Sequence, residues 1–102
     1  MKYETTLAFD GDVRRLHKSG DYEKFREVLR DKFIPAAERQ IENPGKPWPG
    51  RLRVKGVRNA QGILELTWEV RDGRATFEWV EIDGEAGIRW RRAGDHSILS
   101  DP

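Results

Sequence analysis

The chain has no cysteine, which excludes disulfide bonds, thiolate zinc sites and thiol nucleophiles. No apolar run approaches the ~18 residues of a membrane-spanning helix, and the first residues lack the apolar core of a signal peptide. Three signatures of nucleotide and serine chemistry are also missing, namely GxxxxGK(S/T), GxGxxG after a strand and GxSxG. We therefore expect a small soluble, cytoplasmic domain that has no membrane contact and no cofactor.

The length of 102 residues fits one domain, residues 1–102. Charged residues make up 36% of the chain, yet nineteen Lys and Arg against eighteen Asp and Glu leave a net charge of only +1. This balance excludes a basic or an acidic tail. The placement of charge is uneven, because residues 51–58 hold four bases and no acid, and residues 87–94 hold three bases and no acid. Thirteen of the nineteen bases are Arg, the residue that binds phosphate and carboxylate with two parallel hydrogen bonds.

The first half of the chain predicts one strand and two helices. Residues 2–8 alternate as a strand does. Asp10 or Asp12 caps a first helix, and Asp21 caps a second one that runs to about residue 42. Pro35 requires that this second helix either kink or restart with the proline in its first turn. The second helix carries an apolar stripe with helical spacing, formed by Tyr22, Phe25, Val28, Leu29 and Phe33.

The second half changes to a period of two, which predicts a meander of four strands over residues 51–57, 63–70, 74–80 and 87–92. Asp72-Gly73 predicts a two-residue hairpin. Longer turns are expected at residues 59–62 and 83–87, and a loop is expected after residue 92. We therefore expect an α+β domain in which both helices pack on one face of an antiparallel sheet and the other face is open to solvent.

Cations are predicted on that open face. In the first strand of the meander Leu52 and Val54 face the core, so Arg51, Arg53 and Lys55 project on the other side. Glu65 on the next strand is available as an ordinary cross-strand partner for Arg53 or Lys55. Arg74 starts the third strand, and the last one contributes Arg89, Arg91 and Arg92. Guanidinium groups that converge in this way bind phosphodiesters and stabilise phosphoryl transition states.

His96 is the candidate for proton transfer, because imidazole titrates near neutral pH and the adjacent Asp95 could hold its tautomer. An ordinary surface histidine has the same sequence signature. His17 lies among cations on a helix face and is interpreted as solvated. Two histidines without cysteine or a ligand-spaced carboxylate cluster predict no metal site.

Four motifs, in order and spacing, resemble the RelE/ParE superfamily of toxins from toxin–antitoxin systems, and more narrowly its actinobacterial RelE-like branch. The resemblance covers roughly the whole chain and includes the element order. The motifs are Arg51-Leu-Arg-Val-Lys55, Gly62-Ile-Leu-Glu-Leu-Thr-Trp68, Asp72-Gly-Arg-Ala-Thr-Phe77 and Ile88-Arg-Trp-Arg-Arg-Ala-Gly-Asp-His96.

The resemblance implies an mRNA interferase, an endoribonuclease that acts on mRNA at the ribosome, inhibits translation and is neutralised by a cognate antitoxin. Such toxins activate a ribose 2′-hydroxyl for attack on the adjacent phosphodiester and need no metal. Carried over position by position, the implied catalytic residues are Arg53, Lys55, Arg74, Arg91 (or Arg92) and His96. The further RNA contacts are Arg51, Arg89 and Arg92. Glu65 corresponds to a strand glutamate with a structural role.

Two features depart from the family pattern. The net charge of +1 is low for a protein that binds ribosomal RNA, and Ser97 and a short tail follow His96 where ribosome-dependent members end in a short aromatic motif. Two alternatives on the same fold are a ParE-like gyrase inhibitor that cleaves no RNA and a non-toxic protein-interaction domain.

Overall fold

A computed structural model describes all 102 residues. In chain order the elements are β1 (Lys2–Thr5), α1 (Leu7–Ser19), α2 (Tyr22–Val28), α3 (Ile34–Glu42), β2 (Lys55–Gly56), β3 (Leu64–Glu69), β4 (Gly73–Ile82) and β5 (Glu85–Gly94). The strands form one sheet in the order β1-β5-β4-β3-β2, in which β1 is parallel to β5 and the other pairs are antiparallel. This arrangement confirms the predicted α+β fold.

The helices cover one face of the sheet through a cluster of aromatic rings. Phe33 is fully buried, and its ring centroid lies 5.0 Å from those of both Phe77 on β4 and Trp90 on β5. Phe9 of α1 and Phe25 of α2 extend the same cluster. None of the helices is both long and apolar enough to cross a membrane.

The first helix begins earlier than predicted, because Thr6 caps it. Thr6 Oγ1 accepts a hydrogen bond from the Phe9 N–H and donates one to the Arg91 carbonyl on β5. The expectation that Asp10 or Asp12 caps this helix was therefore wrong. Asp12 lies more than one turn inside α1, where its side chain faces the sheet.

A turn of π-helix, residues Leu29–Phe33, joins α2 to α3. The N–H of Ile34 donates to the Leu29 carbonyl five residues back, and Pro35 then falls in the first turn of α3. The sequence left open a kink or a restart at Pro35, and the chain instead keeps a continuous helical backbone, with the π-turn before the proline.

The prediction that residues 51–57 form the first strand of the meander was wrong for most of these residues. Residues Gly50–Leu52 form a turn of 3-10 helix, and only Lys55–Gly56 pair with β3. Leu52 still reaches the core, where it is 1% exposed, but it does so from the turn. Arg53 follows with a left-handed backbone (φ 47°), so neither Arg51 nor Arg53 lies on a strand.

The turns of the meander also differ in length from the prediction. A three-residue loop separates Glu69 from Gly73, which pair with each other, so Asp72-Gly73 is not a two-residue hairpin. The β4–β5 connection is the two-residue turn Asp83-Gly84, in which both residues have positive φ. Strand β5 continues to Gly94, and a 3-10 helix (His96–Ser100) replaces the expected loop.

The sheet face opposite the helices is polar but not open at its centre. Thr76 on β4 is 0% exposed and its hydroxyl has no hydrogen-bond partner, and Glu65 and Thr67 on β3 are also buried. The expectation of a solvent-open face therefore holds only for its margins.

Candidate functional site

A cleft of about 420 Å³ lies between α1, the β3–β4 hairpin and the chain that follows β5. Trp68 contributes to its apolar lining. Eight charged side chains surround it, five acidic and three basic, namely Asp12, Asp21, Glu69, Asp72, Asp95, Arg15, Arg71 and Arg92. The cleft therefore combines cations with hydrogen-bond acceptors at the end of the sheet where His96 lies.

His96 is held by Asp72 at the edge of this cleft. Its Nδ1 lies 2.5 Å from Asp72 Oδ1, and its backbone N–H donates to the same oxygen at 3.2 Å. The hydrogen bond from His96 holds the pKa of Asp72 below its usual value. Because the carboxylate accepts at Nδ1, the neutral ring carries its proton there, and Nε2 is the nitrogen left for a substrate. The His96 side chain is 73% exposed and therefore accessible from solvent.

Asp72 is the site residue that the sequence prediction missed. The prediction placed Asp95 beside the imidazole, but Asp95 accepts from the backbone N–H and the hydroxyl of Ser97 and so caps the last 3-10 helix. These hydrogen bonds lower the pKa of Asp95. The strand register explains the position of Asp72. Arg74 on β4 pairs with Gly94 on β5, so Asp72, two residues before Arg74, lies opposite His96, two residues after Gly94.

Arg92 reaches the cleft by crossing from β5 to α1. Its Nε and Nη2 donate to the two oxygens of Asp12 at 2.8 and 3.3 Å, and its Nη1 donates to the Asp101 carbonyl at 3.0 Å. A β-bulge turns it this way, because Arg91 and Arg92 together oppose Thr76 on β4. The hydrogen bond with Asp12 raises the pKa of Arg92, which is a cation at any physiological pH.

Asp12 is buried, with an exposed fraction of 2%. Burial raises its pKa, but hydrogen bonds from Arg92, the Ala93 N–H and Arg15 outweigh burial, and the net pKa lies below the usual value. The carboxylate is therefore ionised and its charge is compensated within the protein.

Arg89 and Arg91 occupy a different position from Arg92. Arg91 donates to Glu78 at 2.6 Å and to the Pro102 carbonyl through Nε and Nη2. Arg89 lies between Glu4 and Glu78 at 3.0 and 3.3 Å. The predicted RNA-binding row on β5 is thus split: all three guanidinium groups pair with carboxylates, but Arg89 and Arg91 pair with those of neighbouring strands and Arg92 pairs with Asp12 on α1.

Arg74 wraps around the β3–β4 hairpin. Its Nη1 donates to the carbonyls of Glu69 and Gly73, and its own carbonyl accepts from the Trp68 indole. No carboxylate pairs with Arg74, so the hairpin that carries Asp72 also carries an uncompensated positive charge.

The remaining predicted residues lie across the sheet from the cleft. Lys55 pairs in register with Glu65, Glu65 with Thr76 and Thr76 with Arg92, so three strand spacings, about 14 Å, separate Lys55 from Arg92. Arg51 and Arg53 are exposed next to β2. The structure therefore brings His96, Arg74 and Arg92 to one end of the sheet and leaves Arg51, Arg53 and Lys55 as a basic edge on its other side.

No protein-family model and no curated protein matches the chain. Solved structures do match it. The Escherichia coli DinJ-YafQ complex aligns with a TM-score of 0.65 and 18% identity over 96% of each chain. A YoeB/ParE toxin from Agrobacterium tumefaciens aligns with a TM-score of 0.62 and 13% identity over 94% of this chain and 99% of that one. A metal-bound toxin from Helicobacter pylori aligns with a TM-score of 0.67 and 21% identity over 97% of this chain and 98% of that one. The chain therefore shares the fold of these proteins, and this is the fold that the resemblance implied.

Proposed function

We propose that this protein is a toxin of a toxin–antitoxin system that cleaves mRNA by metal-independent attack of a ribose 2′-hydroxyl on the adjacent phosphodiester. The observation that carries the proposal is the Asp72–His96 pair beside the cleft that Arg92 lines. The fold shared with known toxins supports the same class. Arg53, Lys55, Arg74, Arg91 and His96 were the catalytic residues implied by the family resemblance, and the geometry favours Arg92, which lines the cleft, together with His96 and Arg74 at the same end of the sheet.

The reaction has two proton transfers, and His96 serves the second of them. The 2′-hydroxyl loses its proton to a base, the O2′–P bond forms, and the P–O5′ bond breaks as the 5′-oxygen takes up a proton. The products are a 2′,3′-cyclic phosphate and a 5′-hydroxyl. His96, protonated and held by Asp72, donates from Nε2 to the leaving 5′-oxygen. The resemblance implies Lys55 among the catalytic residues, but Lys55 lies about 14 Å across the sheet from Arg92, so we assign it no proton transfer at the cleft, and the 2′-hydroxyl proton passes to solvent water.

Negative charge builds up on the phosphoryl oxygens during this attack, and cations near the cleft stabilise it. Arg92 supplies a guanidinium of fixed orientation, and Arg74 supplies a charge that no carboxylate neutralises. Arg91 is less suited, because it pairs with Glu78 and does not line the cleft, whereas Arg92 does. We therefore assign the transition-state charge to Arg92 and Arg74.

The pair of variants His96→Ala and Asp72→Asn tests the proposal. Loss of the imidazole is expected to slow RNA cleavage by about 10²–10⁴-fold, because a positioned proton donor contributes about that much. Asp72→Asn is also expected to slow cleavage, because it removes the carboxylate charge that holds the protonated imidazole of His96. Cleavage is measured by mapping new transcript 5′ ends after induction and with purified protein on a labelled RNA.

The matched control is His17→Ala, which removes an exposed histidine that stacks on Tyr22 and lies outside the cleft. It is expected to cleave at the wild-type rate. Wild-type cleavage by both site variants would contradict the proposal. An intact transcript pool together with lost gyrase supercoiling would instead support the ParE-like alternative.

We also propose that a cognate antitoxin neutralises the protein. One structure with this fold is that of the DinJ-YafQ complex, in which a protein of this fold is bound to a second protein. Co-expression of a small reading frame that adjoins the gene is expected to restore growth and to co-purify with the chain. Binding to mRNA at the ribosome belongs to the same proposal.

A further inference from the structure

We infer that Asp12 on α1 is a positioning residue, which holds Arg92 and the start of the His96 loop in the geometry that the proposed reaction needs. This inference rests on the proposed function. Asp12 itself does not touch the RNA. It acts through Arg92 and through the backbone of Ala93.

Both oxygens of the Asp12 carboxylate accept hydrogen bonds, from donors on β5 and on α1. Oδ2 accepts from Arg92 Nε at 2.8 Å and from the Ala93 N–H at 2.9 Å. Oδ1 accepts from Arg92 Nη2 at 3.3 Å and from Arg15 on the same helix. Arg92 is thus bound through two of its nitrogens, which leaves its guanidinium plane no rotational freedom.

The hydrogen bonds from Arg92 to Asp12 determine which nitrogen of the guanidinium group is available to a substrate. Nε and Nη2 face Asp12, and Nη1 points away from it, where the carbonyl of the exposed residue Asp101 accepts its hydrogen bond and the Asp101 carboxylate lies 3.9 Å away. A phosphate oxygen is a stronger acceptor than a carbonyl, since it carries charge, and can replace it. Arg92 therefore presents one prearranged donor group to a substrate.

The Ala93 N–H shows why a carboxylate is needed at this point of the fold. Strand β1 ends at Thr5, opposite Trp90, so β5 has no neighbouring strand on that edge beyond Trp90. The buried carboxylate of Asp12 accepts the hydrogen bond from the Ala93 N–H that a carbonyl of such a strand would have accepted. The chain from Ala93 to His96 consequently starts from a fixed point.

The variant Asp12→Asn tests this inference. An amide keeps the size of the side chain, but its NH₂ group would face a donor, so it cannot accept every hydrogen bond from Arg92 and Ala93. We expect kcat for RNA cleavage to fall about 10–100-fold while KM changes less than about threefold, because misplacement of a charged group affects the transition state more than binding. The measurement is made at a temperature where circular dichroism shows the variant folded. Asp10→Asn, which changes an acid on the same helix outside the cleft, is expected to keep wild-type kcat and KM.

Two further measurements separate positioning from mere stabilisation. The double variant Asp12→Asn/Arg92→Ala is expected to be no slower than Arg92→Ala alone, since an amide oxygen at position 12 can still accept from the Ala93 N–H once Arg92 no longer competes for it. The Arg92 Nε–H signal in ¹⁵N NMR is expected to exchange with water at least about tenfold faster in Asp12→Asn than in the wild type. This second readout needs no catalytic activity.

The inference is overturned if folded Asp12→Asn keeps the wild-type kcat, if the two substitutions add independently, or if the Arg92 Nε–H exchange is unchanged. If the wild-type protein cleaves no RNA, the proposed function fails, and faster Nε–H exchange in the variant still supports the hold of Asp12 on Arg92.

Discussion

Burial of Asp12 removes a carboxylate from water, and this cost is offset because three neighbours donate to it. A buried charge that keeps its partners costs little, whereas the same charge with one partner removed is strongly destabilising. The same side chain therefore ties the stability of the fold to the geometry of the candidate site. Asp72 makes the opposite case, because its hydrogen bond with His96 is exposed and serves orientation more than stability.

The pH dependence of unfolding should report on Asp12. Its pKa is lower in the folded chain than in the unfolded one, so it contributes stability that is complete above the usual carboxyl value of about 4 and is lost as the pH falls through the lowered pKa. In urea titrations Asp12→Asn is expected to be about 2–3 kcal/mol less stable than wild type at pH 7, and the difference should shrink from about pH 4 towards pH 2.

Asp10→Asn serves as the comparison and should follow the wild-type curve. The other carboxyl groups with lowered pKa values, Asp31, Asp72 and Asp95, are retained in both variants, so they cancel in the difference. A stability difference that does not change with pH would show that Asp12 is not an ionised, hydrogen-bonded carboxylate in the folded protein.

Two irregularities of the strands position the candidate site. The bulge in β5 turns Arg92 towards α1 while Arg91 stays with Glu78. The loop between Glu69 and Gly73 carries Asp72 to the face of His96. Bulges and loops of this kind redirect side chains at functional sites.

Gly73→Ala should disturb the hairpin that carries Asp72. A Cβ at Gly73 would lie 2.5 Å from the Glu69 Cβ and 2.7 Å from its backbone nitrogen, which cannot move without shifting the strand. We expect a loss of about 2 kcal/mol in the free energy of unfolding and weaker cleavage, since Asp72 moves away from His96. Thermal denaturation and the cleavage assay measure the two effects.

Gly56→Ala in β2 is the control, because nothing lies within 4 Å of its added Cβ and its φ is not positive. Its stability is expected to stay within about 0.5 kcal/mol of wild type. If Gly73→Ala is as stable as this control, close packing at Gly73 is not required for the stability of the hairpin.

At the scale of the whole molecule, the net charge of +1 conceals two regions of different character. Around β5, Glu4, Glu78 and Asp12 neutralise the arginines Arg89, Arg91 and Arg92. Along β2, Arg51, Arg53 and Lys55 are exposed and the chain from 51 to 58 has no acid. Long-range attraction of RNA should therefore come from the basic edge, and the cleft should contribute orientation.

The double variant Arg51→Gln/Arg53→Gln tests this division. Binding to a non-cleavable, 2′-deoxy-substituted oligonucleotide should weaken, and the slope of log K against log salt concentration should decrease by about 0.7 for each phosphate that is no longer neutralised. Fluorescence anisotropy between low and moderate salt gives both quantities. Arg39→Gln on α3, an exposed arginine on the helical side, is expected to leave the slope unchanged, and an unchanged slope in the double variant would assign RNA attraction elsewhere.

The sequence by itself determined the element order, the helical stripe through Phe25 and Phe33, the α+β class and the candidate His96, because these follow from local periodicity and residue chemistry. It did not determine that residues 51–54 turn instead of extending, since the burial of Leu52 is decided by the core that it meets.

Only the tertiary structure decided which side chains meet in the candidate site. Asp12 and Arg92 are 80 residues apart in the chain, and Asp72 and His96 are 24 apart. No local pattern marks such pairs, because they depend on strand register, on a one-residue bulge and on where β1 ends. The chain thus specifies which groups are available, and the folded sheet specifies which of them come together.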